Sequence, residues 1–347
     1  MTAGPAVLPA KAVPSRGAVL PVRVAGVGAW LPDDVVTNDD LAHTLDTSDQ
    51  WIATRTGIRR RHVADASDAT SDLALRAATA ALADAGIAAA DLSAVVVATT
   101  TPDHPISGVA PIVASRLGIE VAAFDLNAAC SGFVYGLRVA GGLAASSAGP
   151  VLLIGAETLT RFTDRDDRDT AVLFGDGAGA VVLEATDDAA LGPFDLGSDG
   201  SDPSMLWAEA GGSRLPADAT VVAERRQFIS MRGREVYRFA VQRMTESSRN
   251  VLDAAALTFA DVDLFVGHQA NLRILEGVAT RLHIDPAALH VTVDRHGNTS
   301  AASIPLALAD AQQAGRLHDG DRVLLSAFGA GLTWGSCLLT WSRKGQL

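Results

Sequence analysis

The sequence predicts an α/β protein built from two similar halves, and three observations carry that expectation. An ordered set of landmarks occurs twice along the 347 residues. Continuous apolar runs of strand length alternate with helical patterns, which implies mostly parallel sheets covered on both faces. Hydrophobic residues make up 48% of the chain and charged residues 20%, a globular composition with ample apolar surface for a core.

The elements follow in order. Residues 1–20 are rich in Ala and Pro, with prolines at 5, 9 and 14 that break any apolar run of signal-peptide length. They read as a flexible extension, and the protein as cytoplasmic. A helical pattern over 73–86 leads into the strand Ala94-Val95-Val96-Val97, and Arg116-Leu117-Gly118-Ile119 precedes a short strand over 121–126. Further on, Leu173-Phe174-Gly175-Asp176-Gly177-Ala178-Gly179 introduces Ala180-Val181-Val182-Leu183. The second half repeats this order with a helix over 236–252, the strand Leu264-Phe265-Val266, Arg281-Leu282-His283-Ile284, and Ala327-Phe328-Gly329-Ala330-Gly331-Leu332-Thr333 before a last apolar strand. Each half thus ends in a strand, a glycine hairpin and another strand. A repeat of roughly 160 residues means two lobes packed together, not a solenoid, here 21–190 and 191–347 with the active site at their junction. Residues 323–342 carry no charge, yet glycines at 329, 331 and 335 interrupt them, so they read as two buried strands and not as a membrane span.

Charge and cysteine content exclude several functions. The 28 Lys+Arg and 40 Asp+Glu leave a net charge of −12, which repels phosphate backbones and argues against nucleic acid as a partner. Two cysteines, Cys130 and Cys337, cannot build a disulfide scaffold or a four-cysteine zinc site, and no metal is expected.

Cys130 falls where the strand over 121–126 turns into a helix marked by Phe133, Val134, Leu137 and Ala140. Unpaired N–H groups and about half a positive charge at a helix start favour a thiolate, where only roughly 3% of an ordinary thiol is ionised at pH 7. The small neighbours Ala128, Ala129, Ser131 and Gly132 leave room for an acyl group. By residue type alone a small buried cysteine fits as well, and Cys337, inside an apolar strand, reads as one. His268, in Gly267-His268-Gln269-Ala270-Asn271, stands just past a buried strand, where parallel sheets place their chemistry. Asn298 lies in the polar turn His296-Gly297-Asn298-Thr299-Ser300-Ala301, the second-half counterpart of the cysteine elbow. Pseudo-symmetry therefore directs Cys130, His268 and Asn298 toward one cavity.

These motifs, with Asn127-Ala128-Ala129-Cys130-Ser131-Gly132-Phe133 and Phe328-Gly329-Ala330-Gly331-Leu332-Thr333-Trp334-Gly335, resemble β-ketoacyl-acyl-carrier-protein synthase III over about residues 22–341. The resemblance implies a thiolase-like duplicated fold of five layers, α-β-α-β-α. It sets the chain apart from thiolases, which carry a second cysteine where this chain has Ser326-Ala327, and from elongating ketosynthases, which carry a second histidine where it has Asn298. Thr54-Arg55-Thr56-Gly57-Ile58 and Leu332-Thr333-Trp334-Gly335 favour this branch over chalcone-synthase-like enzymes with the same triad.

The implied activity is decarboxylative condensation of an acyl-CoA starter with malonyl-acyl-carrier protein, initiating fatty acid or polyketide synthesis, in a homodimer and without cofactor or metal. Cys130 is the implied nucleophile, His268 and Asn298 hydrogen-bond the enolate, and the N–H groups of Cys130 and Gly329 form the oxyanion hole. Trp51, Arg55 and Arg168 are implied to hold the CoA adenine, although Arg168 also fits a solvated charge in an acidic run. Arg234, Arg238 and Arg273 are implied to dock the acidic carrier protein, with a solvated helix face as the plainer reading of Arg273. Tyr237 and Ile106 are expected at the acyl pocket, Ile106 by capping the neighbouring subunit's pocket. An acyltransferase delivering to a hydroxyl or amine would show the same triad.

Overall fold

The computed structural model describes residues 19–187 and 191–342. Most of the expected N-terminal extension lies outside them; Leu20 within it pairs with Leu191 through mutual backbone bonds of 2.9 Å. The first sheet contains β1 (Val22–Trp30), β2 (Ala94–Ala98), β3 (Ala122–Leu126), β4 (Val151–Thr158) and β5 (Asp176–Ala185), in the order β1-β5-β4-β2-β3. Its helices are α1 (Thr70–Ala85), α2 (Val109–Arg116) and α3 (Gly132–Ser146). The second sheet contains β6 (Leu191–Ser198), β7 (Leu264–Gly267), β8 (Arg322–Gly329) and β9 (Thr333–Thr340), in the order β7-β8-β9-β6. Its helices are α4 (Gly233–Ala254), α5 (Leu272–Leu282) and α6 (Ser303–Gln313). A lone parallel bridge from Phe265 to Leu289 stands where β3 stands in the first sheet.

Strand alternation sorts the core into layers, because successive side chains point to opposite faces. In β4, Val151 and Leu153 face the middle of the molecule while Leu152, Ile154 and Ala156 pack with α1 and α2. In β8, Val323, Leu325 and Ala327 face the middle while Leu324 and Phe328 pack with α4 and α5. The middle is filled by α3 and α6, whose Phe133, Leu137, Ile304 and Leu308 belong to a single cluster with both sheets. The result is the five-layer sandwich expected, with its two half-sheets facing one another across α3 and α6.

The sheets are mixed, not mostly parallel. β2 runs parallel to β3 and β4, and β7 to β8, whereas β5 and β9 return antiparallel and each half's entering strand, β1 or β6, lies antiparallel beyond them. Helical crossovers join the parallel strands; the returning strands have none, which permits antiparallel pairing. A tight glycine hairpin forms only in the second half. In the first, residues 159–175 separate β4 from β5, and the glycines at 177 and 179 lie within β5. Gly179 serves close packing instead: a Cβ there would come within 2.7 Å of the Leu306 nitrogen on α6.

Candidate active site

The two elbows predicted by the repeat are the same local structure. After β3, Asn127 Oδ1 accepts the Ala129 N–H at 3.1 Å, and Ala129 takes a left-handed φ of +46°. In the second half Asn298 Oδ1 accepts the Ser300 N–H at 2.9 Å, and Ser300 takes φ +48°. Each is followed by a short 3-10 turn, Ala129–Ser131 or Ser300–Ala302, that runs into α3 or α6. Such strained residues persist only where surrounding packing holds them, and they cluster at functional sites. The turns meet at the pseudo-twofold axis, where a Cβ on Gly132 would lie 3.4 Å from that of Ala301.

Cys130 is half-buried in the first turn, at the foot of a cavity of about 450 Å³. Gly329, the last residue of β8, presses against it: a Cβ there would lie 2.6 Å from the Cys130 nitrogen. Burial pushes the Cys130 thiol up to about 12. Burial thus opposes the acidification expected from the helix start.

His268 follows β7 and stays bonded to the sheet, its N–H donating to Ser326 O at 2.8 Å. The ring is 2% exposed, and burial pushes its pKa down to about 3, so it is neutral at physiological pH. Its Nδ1 lies 2.6 Å from Ser303 Oγ, which also accepts the Gln269 N–H at 3.3 Å. When Ser303 donates to Nδ1, the ring carries its proton on Nε2 and presents a donor. Asn298, 7% exposed, is fixed by its N–H to Leu173 O at 2.8 Å and by Gly175 N–H donating to its carbonyl at 3.0 Å.

Sequence reasoning missed several residues that shape this region. Gln269, 1% exposed, ties the histidine loop to the asparagine turn: its amide donates to Gly267 O and His290 O, and its Oε1 accepts from Thr292 and Val293. The apolar cavity wall comes from Leu159, Phe162, Phe174, Leu206, Trp207 and Ile229. These stand in connections and in a two-stranded ribbon, Leu206–Ala208 with Ile229–Met231, where no hydrophobic period marks them. Tyr237, expected at the acyl pocket, does not line this cavity, and Ile106, expected to cap the neighbouring subunit's pocket, stands outside it. Ile106 is 89% exposed on a loop, and Tyr237 on the first turns of α4 faces α5, where a Gly277 Cβ would meet its hydroxyl at 3.3 Å.

Away from the cavity, Arg55 lies 4.4 Å and Arg168 4.8 Å from the Trp51 ring centroid. Arg168, whose Nη1 also donates to Asp46 O at 3.0 Å, is thus a stacked guanidinium. Arg234, Arg238 and Arg273 are exposed, and among the described residues none of them makes an ion pair; Arg273 stacks 6.0 Å from the Tyr237 ring.

Known proteins resemble the chain along most of its length. Family models match twice, 3-oxoacyl-[acyl-carrier-protein] synthase III over residues 124–200 and its C-terminal counterpart over 252–341. The chain is 48% identical over 322 residues to β-ketoacyl-[acyl-carrier-protein] synthase III of Roseiflexus castenholzii, covering 92% of this chain and 98% of that protein. It is 50% identical over 323 residues to synthase III 3 of Streptomyces coelicolor, covering 92% and 96%. The crystal structure of the Aquifex aeolicus synthase III superposes with a TM-score of 0.85 at 40% identity, covering 92% of this chain and all of that one. A priming β-ketosynthase of a polyketide pathway superposes at 0.86 with 34% identity, covering 96% and 99%. The fold, the paired elbows and relatives matched along almost their whole length lead to one conclusion: the chain belongs to the β-ketoacyl-acyl-carrier-protein synthase III family, the condensing enzymes that initiate fatty acid synthesis.

Proposed function

We propose that this chain joins an acyl-CoA starter to malonyl-acyl-carrier protein by decarboxylative condensation, with Cys130 as nucleophile and His268 and Asn298 as enolate-binding donors. The observation that carries this reading is Cys130 at the foot of an apolar cavity, on an elbow pressed against Gly329. Cys130 sulfur attacks the acyl-CoA carbonyl, the bond to CoA sulfur breaks, and the cysteine's proton ends on the departing CoA. Malonyl-acyl-carrier protein then loses CO2. The enolate oxygen receives hydrogen bonds from His268 Nε2–H and the Asn298 amide, for which a neutral imidazole with Nδ1 held by Ser303 is suited. The enolate carbon attacks the acyl-cysteine, the Cys130 thioester breaks, and one proton from solvent restores the thiol. The close approach of Gly329 to Cys130 supports their N–H groups as the oxyanion donors in this step.

Trp51 with two guanidiniums near its ring supports adenine binding, since a flat base stacks on the same surfaces. Arg234, Arg238 and Arg273, exposed and outside ion pairs, support docking of an acidic carrier on a protein of net charge −12. A homodimer belongs to the same reading: β3 is an open sheet edge with Phe124 39% exposed, and Ile106 at 89% leaves an apolar side chain for a second subunit to cover.

Intact mass after incubation with a panel of acyl-CoAs, followed by a chase with malonyl-acyl-carrier protein, tests the reaction. The expected result is an acyl adduct discharged with release of CO2; an adduct that survives the chase would instead assign the chain to acyl transfer onto a hydroxyl or amine. Trp51→Ala is expected to raise KM for acyl-CoA about tenfold, from stacking worth roughly 1–3 kcal/mol. KM for an acyl-pantetheine thioester should stay unchanged, and an equal rise for both substrates would remove Trp51 from the adenine site.

A further inference from the structure

One elbow holds both groups assigned to the enolate. Asn298 opens the second elbow, and the turn Ser300–Ala302 carries the chain into α6, whose first residue is Ser303. A serine at a helix start ordinarily accepts one of the helix's free N–H groups. Ser303, 2% exposed, turns to the histidine loop instead: its Oγ accepts the Gln269 N–H at 3.3 Å and lies 2.6 Å from His268 Nδ1. The matching position in the first half is Gly132, the first residue of α3, which has no hydroxyl. The serine is therefore not required by the elbow and is aimed at the histidine.

A hydroxyl has one proton and a neutral imidazole one N–H, so the direction of the bond follows from the partners. The Gln269 backbone N–H can only donate, and it takes one lone pair of Ser303. Its loop is fixed, because the Gln269 amide spends both N–H groups on Gly267 O and His290 O and both lone pairs on the Thr292 and Val293 N–H groups. Were His268 Nδ1 also a donor, the Ser303 proton would be buried without a partner, since among the described residues no other acceptor is bonded to that hydroxyl. A buried donor left unmade costs more than a made bond returns. Ser303 therefore donates to Nδ1, and the proton of the ring stands on Nε2. We propose that Ser303 is a positioning residue for the decarboxylative half of the reaction: it keeps His268 a donor to the enolate and takes no part in loading Cys130. A ring released from Ser303 is free to carry its proton on Nδ1, and Nε2 then offers the enolate oxygen a lone pair. Ser303 makes and breaks no covalent bond.

The inference rests on His268 being an enolate donor, and its first test needs no substrate, so the two can fail separately. In protein carrying ring-15N histidine, with the His268 signals identified by their loss in His268→Gln, NMR is expected to find the proton on Nε2 and none on Nδ1. A proton on Nδ1 makes Ser303 the acceptor and overturns the proposal. Ser303→Ala is expected to move part of that proton to Nδ1, and an unchanged tautomer in the variant overturns the proposal whatever the rates. The two half-reactions are then timed apart. Acyl adduct formation in Ser303→Ala should stay within about twofold of wild type. Release of CO2 from malonyl-acyl-carrier protein by the preloaded acyl-enzyme should fall at least about tenfold, a part of the roughly 10²–10³ lost with such a donor itself. Equal slowing of both half-reactions would assign Ser303 to packing and reject its role, as would undiminished CO2 release. If Ser303→Ala does not fold, Ser303→Gly takes its place, the residue that the first half carries at this position, and must meet the same outcomes. Wild type that loads yet releases no CO2 would end the condensation reading, and this role with it, while the tautomer stands as measured.

Discussion

Cys130→Ala should form no acyl adduct with any acyl-CoA and should lose condensing activity by more than about 10³-fold, the scale on which removal of a covalent nucleophile acts. The loss is chemical. Cys130 sits among Ala128, Ala129 and Ser131 on a turn whose geometry comes from backbone bonds and from Asn127, so alanine is accommodated there. The variant should therefore melt within a few degrees of wild type. The other cysteine cannot substitute: Cys337 is fully buried in β9, where burial pushes its thiol far up. An adduct that persisted in Cys130→Ala, located by peptide mapping, would move the nucleophile elsewhere and end the proposed mechanism at its first step.

Gly329→Ala should have the second largest effect, and here the cause is space. An added methyl would lie 2.6 Å from the Cys130 nitrogen and 3.1 Å from the Ser131 nitrogen, both backbone atoms that cannot turn aside. Either β8 withdraws or the cysteine elbow shifts, and both displace the proposed oxyanion donors, the N–H groups of Cys130 and Gly329, from the position proposed for the reacting carbonyl. Loss of one such donor costs about 10²–10³ in kcat. Overpacking adds a stability loss of about 1–3 kcal/mol. Thermal melting and kcat for condensation, measured together, separate the two effects. A variant that melts lower yet retains wild-type kcat would show that Gly329 is there for packing and would take it out of the oxyanion hole.

The duplication was legible because a repeat leaves its mark in order and spacing. Helix 73–86 became Thr70–Ala85, the strand at Ala94 became Ala94–Ala98, and the uncharged run near the C-terminus became the hairpin Arg322–Gly329 with Thr333–Thr340. Strand direction was less legible. An apolar run states that a strand is buried on both faces but not which neighbour it meets, so an expectation of mostly parallel sheets gave way to mixed ones. The polar motifs were legible for another reason: a cysteine at a strand-to-helix elbow and a histidine just past a strand end depend on local backbone geometry, which short motifs encode.

What the sequence determined by itself, then, was the two-lobed α/β plan and the paired strand-to-helix elbows that carry Cys130 and Asn298. The tertiary structure alone decided the ionisation of Cys130 and His268 and the walls of the cavity at Cys130. A thiol that a helix start should acidify is pushed up to about 12 by burial. The cavity is walled by residues from Leu159 to Ile229 that carry no periodic signal, while Tyr237 packs toward α5 and not into it. The physical reason is common to both: desolvation and shape belong to the surroundings of a side chain, and those surroundings exist only once distant segments have packed.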